Sequence, residues 1–414
     1  MSAVAYRAAI LTPLARGGVA FFADAHLVVR GSRIESVGGP RPEGTLTHDL
    51  RGHLIIPGLV DAHVHYPQTR VVGSASGPLL PWLEHTVFPE EARFAEESYA
   101  TTVAMEFCRA VVARGTTTVG AYASSSLVGA RALFEALDAS GLRAVAGPVL
   151  MDQNCPAELR VAEEPAIAAL DALLAEVHRP QGRLSLAVIP RFAISCSMKL
   201  LRRAAEFAER HDLAVMTHVA ENHDEGRETL RLHSVAEDYL GVYEHAGLVG
   251  PRTLLAHAIH LSASEWDRVA ERGAKIAHCP DSNFFLGSGS MPLGEVDRRD
   301  VTVGLGTDVA AGRSFDLRRT VGHAHDAALI TGASAPPERL FRMATLGGAQ
   351  ALGLGDVTGS LEPGKAADFA VLRLPPHEPS EQDALRYATF AADLAPVVRV
   401  AVDGRRVFNQ GAPA

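Results

Sequence analysis

The strongest constraint on the fold of this chain is an alternation repeated along about 300 central residues, in which short runs apolar throughout are separated by segments of helical periodicity. The runs are Leu54 to Val64, Thr116 to Tyr122, Leu142 to Leu150, Leu184 to Pro190, Leu213 to Val219, Thr253 to His257, Ala274 to His278 and Val301 to Thr307. After the fourth, Met198, Leu201, Ala205 and Ala208 recur at helical spacing, as do Trp266, Val269 and Ala270 after the sixth. Strands without a polar face are covered on both sides, and helices between them imply a parallel sheet with the helices packed outside. Eight such units over this length predict an α/β fold, a closed (β/α)₈ barrel of the TIM type. A doubly wound open sheet is the alternative arrangement of the same units.

The two ends differ from the middle. Residues 1–57 read as short strands and turns, Ala8 to Leu11, His26 to Arg30 and Arg33 to Val37, without helices. Residues 366–414 read the same way, with Ala367 to Leu372, then Val397 to Val402, a turn at Asp403-Gly404 and Arg405 to Phe408. A length of 414 residues exceeds what one hydrophobic core ordinarily serves, so more than one domain is expected. At 47% hydrophobic and 21% charged the chain is globular, which excludes collagenous, coiled-coil and disordered classes. A net charge of −9 argues against a nucleic-acid partner held by bulk charge. Cys108, Cys155, Cys196 and Cys279 lie far apart, suggesting neither disulfides nor a thiolate zinc site, so a reducing cytoplasm is expected. No run approaches about 18 consecutive apolar residues, so no membrane span is expected, and the N-terminus, interrupted by Arg7, Arg16 and Asp24, does not read as a signal peptide.

In a barrel of this kind the chemistry sits at the C-terminal ends of the strands, and there the chain places metal-type ligands repeatedly. The first strand ends in His63-Val64-His65, the fifth in His218, the sixth in His257, the seventh in His278 and the eighth in Asp308, with Glu221 just after His218. Residues two apart on a strand share a face, which suits His63 and His65. His323 and His325 have the same spacing, but in a helical segment, where they point to different faces and read as an ordinary surface or interface pair. His278 reads more readily as a structural histidine bonded to a neighbouring loop. His53, His85, His211, His223, His233, His245, His260 and His377 have no strand-end context and read as surface or loop residues. Three imidazoles and one carboxylate suit Zn²⁺, with Fe²⁺ the alternative, at a site that leaves a position for water. Such an ion lowers the pKa of its water to about 7, and a nearby carboxyl, naturally Glu221, can shuttle protons. The pattern reads as metal-assisted hydrolysis.

Pro57 to Thr69, Pro190-Arg191-Phe192 with Ser195-Cys196-Ser197, Thr217 to Asn222, His278 to Asn283, Leu305 to Val309 and Ala344 to Ala349 resemble the amidohydrolase superfamily, within it most closely the metal-dependent deaminase branch that acts on guanine. The resemblance implies a (β/α)₈ catalytic barrel over 58–365 and a small discontinuous β-sandwich from 1–57 and 366–414. It implies one divalent ion held by His63, His65, His218 and Asp308, with His257 contacting the metal-bound water or the substrate. Gln68, Arg191 and Phe192 would hold a planar base, and Trp82 would close the pocket. Asp308 and Glu221 would move the protons while guanine is deaminated to xanthine and ammonia. It further implies a cytoplasmic homodimer in purine metabolism. Three positions depart from the pattern: Ala220 stands where a small polar residue is usual, Asp281 where an amide is usual, and Arg313 where no charge is expected. A pterin, an aminotriazine such as ammeline, or 8-oxoguanine satisfies the same pocket logic. Two metals bridged by a carboxylated lysine would need a strand-end lysine, and Lys199, Lys275 and Lys365, the only lysines, do not supply one.

Overall fold

The computed structural model describes residues 2–39, 41–74, 77–179 and 181–411, so positions 1, 40 and 412–414 of the two expected β ends lie outside the described residues. Eight parallel strands form the central sheet: β5 (Leu59–His65), β6 (Thr116–Ala123), β7 (Arg143–Leu150), β8 (Leu184–Pro190), β9 (Ala214–Val219), β10 (Thr253–His257), β11 (Lys275–His278) and β12 (Val303–Leu305). They follow one another in sheet order, and the segment after β12 returns to β5, where the Asp308 N–H donates to the His63 carbonyl at 2.9 Å. The sheet is thereby nearly closed as a barrel. Every residue of β5, β6 and β7 is buried, because the barrel interior covers one face and helices the other. Helix Met198–Arg210 shows how they dock: Ser197 caps it by accepting from the Leu200 N–H, and Leu200, Leu201, Ala204, Phe207 and Ala208 turn inward.

The chain ends build a second sheet of seven strands from β1 (Ala3–Pro13), β2 (Val19–Arg30), β3 (Arg33–Val37), β4 (Leu46–Pro57), β13 (Phe369–Arg373), β14 (Val397–Val402) and β15 (Arg405–Asn409). β4 joins the two ends, pairing parallel with β1 and antiparallel with β13. Ile10, Leu27, Val29, Ile34, Ile55, Phe369, Val371 and Ala401 form a hydrophobic cluster of its own beside the barrel core. The apolar run expected as one strand over Leu54 to Val64 belongs to both sheets. It breaks at Gly58, where the chain crosses from one to the other and a Cβ would lie 2.0 Å from the Thr117 hydroxyl oxygen. The C-terminal segment is not all β either. Glu381–Ala388 is a helix, begun by a capping box between Ser380 and Asp383, a signal overshadowed by the flanking strands.

Candidate active site

The strand-end residues converge. His63 and His65 leave β5 on one face, His218 stands near the end of β9, and Asp308 follows β12. One ligand atom from each lies within 4.8 Å of the other three. His63 Nε2 is 3.2 Å and His65 Nε2 3.5 Å from Asp308 Oδ1, and His65 Nε2 faces His218 Nε2 at 3.2 Å. Two imidazole nitrogens brought together in a buried site, beside a buried carboxylate, are what a shared cation accounts for. His218 Nδ1–H donates to the Arg191 carbonyl at 2.6 Å, which directs the unprotonated Nε2 into the cluster. Burial lowers the pKa of His63, His65 and His218, keeping them neutral, the form in which an imidazole can bind a metal. The Tyr122 ring packs against all three imidazoles, with centroids 4.5, 4.6 and 5.2 Å away.

His257 and Glu221 stand beside this cluster. His257 Nε2 is 3.5 Å from Glu221 Oε2 and 3.8 Å from Asp308 Oδ2, while its Nδ1–H donates to Asn283 Oδ1 at 2.9 Å. Burial opposes its charge, but Glu221 and Asp308 outweigh burial and raise its pKa. Asp308 is held low: burial would raise it, and the imidazoles of His63, His257 and His65 around it more than offset that. Glu221 goes the other way, pushed up to about 7 chiefly by burial. Its turn is fixed by Glu225, which accepts from the Glu221 and Asn222 N–H groups at 2.8 and 3.0 Å and from the Tyr239 hydroxyl at 2.6 Å. The Ser288 hydroxyl donates to Glu221 Oε1 at 3.2 Å.

A pocket opens over these groups, lined by His65, His218, Glu221, His257 and Asp308 on one side and by Gln68, Trp82, Arg191 and Phe192 elsewhere. All four of the latter residues are buried. Trp82 ends helix Leu79–Trp82, and its indole N–H has no hydrogen-bond partner among the described residues. Gln68 Oε1 accepts from the Ala310 N–H at 3.0 Å, and Gln68 Nε2 donates to Glu91 at 3.1 Å. The same Glu91 receives a hydrogen bond from the Arg191 guanidinium.

Other sequence expectations sort differently. His278 is buried, but neither ring nitrogen meets a partner among the described residues, so the expected bond to a neighbouring loop is not made; burial pushes its pKa down to about 3. His323 and His325 lie in helix Leu317–Ile330, outside the cluster. His233 is not a surface residue: it is buried, with Nε2 2.8 Å from the Ala193 carbonyl. The unexpected charge at Arg313 and the carboxylate at Asp281 explain each other, because the Arg313 Nε–H and backbone N–H each donate to Asp281 at 2.7 Å. Glu91, Ser288 and Glu225 escaped the sequence reading, and Asn283 stood in it only within the resembling stretch His278 to Asn283. Only Glu225 carried a local signal, as the third residue of the helix that Asn222 caps.

The amidohydrolase family model matches residues 54–407. The guanine deaminase of Escherichia coli (strain K12) is 36% identical over 407 residues, covering 94% of this chain and 92% of that protein. A probable guanine deaminase of Deinococcus radiodurans is 40% identical over 381 residues, covering 89% and 86%. Among solved structures, a guanine deaminase from C. acetobutylicum with guanine bound in its active site superposes with a TM-score of 0.93 at 29% identity, covering 98% of this chain and all of that one.

Proposed function

The chain belongs to the amidohydrolase family, and on that footing we propose that it hydrolyses guanine to xanthine and ammonia, a step of purine metabolism. The observation that carries this reading is the opposition, across one small cavity, of Glu221 beside the histidine cluster and the N–H donors of Gln68 and Arg191. Guanine is a flat ring with a carbonyl edge that such donors can hold and an exocyclic amine elsewhere on the ring. Phe192 and Trp82 supply aromatic surface for the base.

His63, His65, His218 and Asp308 would hold one divalent ion, and a three-imidazole, one-carboxylate set favours Zn²⁺ over Fe²⁺. When bound, such an ion lowers the pKa of its water and makes a nucleophile available at neutral pH. Asp308 takes the proton lost by the attacking water. Glu221 protonates the ring nitrogen next to the carbon that bears the amine; the resulting carboxylate then takes the proton of the new hydroxyl on that carbon and delivers it to the amine nitrogen as the carbon–nitrogen bond breaks and ammonia leaves, and the proton held by Asp308 returns to Glu221. His257, held in one orientation by Asn283, contacts the attacking water or the substrate. The division we adopt makes 58–365 the catalytic barrel and joins 1–57 to 366–414 as the sandwich domain. The four cysteines are free and buried, which suits the cytoplasm, and the resemblance favours a homodimer. Among the described residues, no helix is long and apolar enough to cross a membrane.

The test is ammonia release from guanine, other aminopurines, pterins, aminotriazines and 8-oxoguanine by protein whose metal content is measured on the same sample. Guanine is expected to be the best substrate. No release from guanine alongside strong release from another ring would overturn the substrate assignment and leave the reaction class standing.

A further inference from the structure

Glu91 has no part in the mechanism above, yet it is among the most enclosed carboxylates in the molecule, 1% exposed on helix Phe88–Ala92. A carboxylate at that depth persists only when donors surround it. Here the donors are the two polar side chains expected to hold the base: Gln68 Nε2–H at 3.1 Å and the Arg191 guanidinium. We propose that Glu91 is a positioning residue that fixes the far wall of the pocket as donors only and so sets which ring edge the site accepts. The proposal deepens the guanine reading and rests on it.

The argument turns on the Gln68 amide. Its oxygen already accepts from the Ala310 N–H at 3.0 Å and one of its two amide hydrogens is spent on Glu91, so the second hydrogen is the donor it has left for a ligand. Turning the amide over would set its NH₂ against the Ala310 N–H and its oxygen against the Glu91 carboxylate, a donor on a donor and an acceptor on an acceptor. The backbone at 310 and the carboxylate at 91 together forbid that flip. Arg191 has donors alone, one of them spent on Glu91, and its guanidinium lies over the Phe88 ring at 5.2 Å, which restricts how the fork can swing. Its main-chain carbonyl is tied to His218, so the fork and one imidazole of the histidine cluster share one anchored segment. A wall of this kind takes an edge bearing a carbonyl oxygen and an unprotonated ring nitrogen. It rejects an edge where an amine replaces the carbonyl, because two donors then face each other away from water.

The test compares wild type with Glu91→Gln and Glu91→Asp on guanine and on 2,6-diaminopurine, the same ring with an amine in place of the carbonyl. In Glu91→Gln we expect KM for guanine to rise with kcat little changed, and the guanine preference in kcat/KM to fall by about tenfold or more, at unchanged metal content. Glu91→Asp, which keeps the charge, should recover part of the preference, and it carries the test alone if the Gln variant does not fold. An equal loss on both rings would mark a merely structural role and overturn the proposal, as would an unchanged KM. Wild type that handles 2,6-diaminopurine as well as guanine would overturn it without any variant. Wild type that releases no ammonia from guanine would instead overturn the functional reading itself.

Discussion

Glu221 and Asp308 both line the pocket, both buried, and their surroundings drive them apart. Asp308 is ringed by imidazoles and held low, whereas burial dominates at Glu221 and pushes it up to about 7. Divergence of this kind separates an acceptor from a donor within one site. Glu221→Gln is therefore expected to lower kcat by at least about a hundredfold while leaving the metal bound; near-normal turnover would remove Glu221 from the chemistry. Protonated Glu221 is the form that can donate, and it is lost as pH rises through about 7. Accordingly kcat/KM is expected to fall on that side of neutrality, with the limb displaced downward when a bound cation favours the carboxylate. A profile flat to high pH would speak against this role. The converging histidines and Asp308 were legible in the sequence because each ends a strand. Glu91 was not, since its partners stand 23 and 100 positions away and nothing local marks it. Asp281 and Arg313 looked like separate oddities for the same reason: 32 positions hide the fact that they are a pair.

At the scale of elements, the site depends on how closely strand ends approach one another. Gly306, just beyond β12, leaves room for no side chain: a Cβ there would lie 2.7 Å from His63 Cβ and 2.9 Å from Cys279 Sγ. Gly306→Ala must push β5 aside or displace the His63 ring. A loss of about 1–3 kcal/mol in stability and a reduced metal content are expected, read by thermal melting and metal quantification on one preparation. A variant with the parent's Tm and full metal occupancy would contradict this account of the close approach. Backbone strain gathers in the same places, since Ala220, His257 and Asp308 follow or end their strands at φ values of 48°, 72° and 47° without being glycine. Strand position was largely legible, because buried parallel strands are continuous apolar runs. Strand limits were less so. β4 begins at Leu46 with Thr47, His48, Asp49 and Arg51 in its outer half, an exposed stretch whose polarity hides it, and β12 has only three residues where seven were expected.

At the scale of the whole molecule, the question is what holds the terminal sheet against the barrel. Arg143 opens β7 at the end of the barrel opposite the site, buried with 3% exposure. Its guanidinium donates to Asp368, just before β13, at 3.0 Å and to Asp403, in the β14–β15 turn, at 2.8 Å. Asp368 also accepts from the Asp403 N–H at 2.8 Å, so one arginine ties a barrel strand to two turns of the C-terminal segment. None of this was legible in the sequence, where Asp403-Gly404 reads only as a hairpin turn and Arg143 stands 225 residues from Asp368. Removing one member of a buried pair leaves the other uncompensated, at about 3–5 kcal/mol, whereas replacing both by apolar residues is often neutral. Arg143→Met is therefore expected to lower stability by about that amount, and Arg143→Met with Asp368→Leu to lose less than the sum of the two single changes. Since the site lies at the other ends of the strands, deamination per bound metal should stay near the parent's value at temperatures where the variants remain folded. Additive losses in the cycle would show that the pair does not couple sheet to barrel. A fall in activity that outpaces unfolding would show that the terminal sheet reaches the pocket through more than stability.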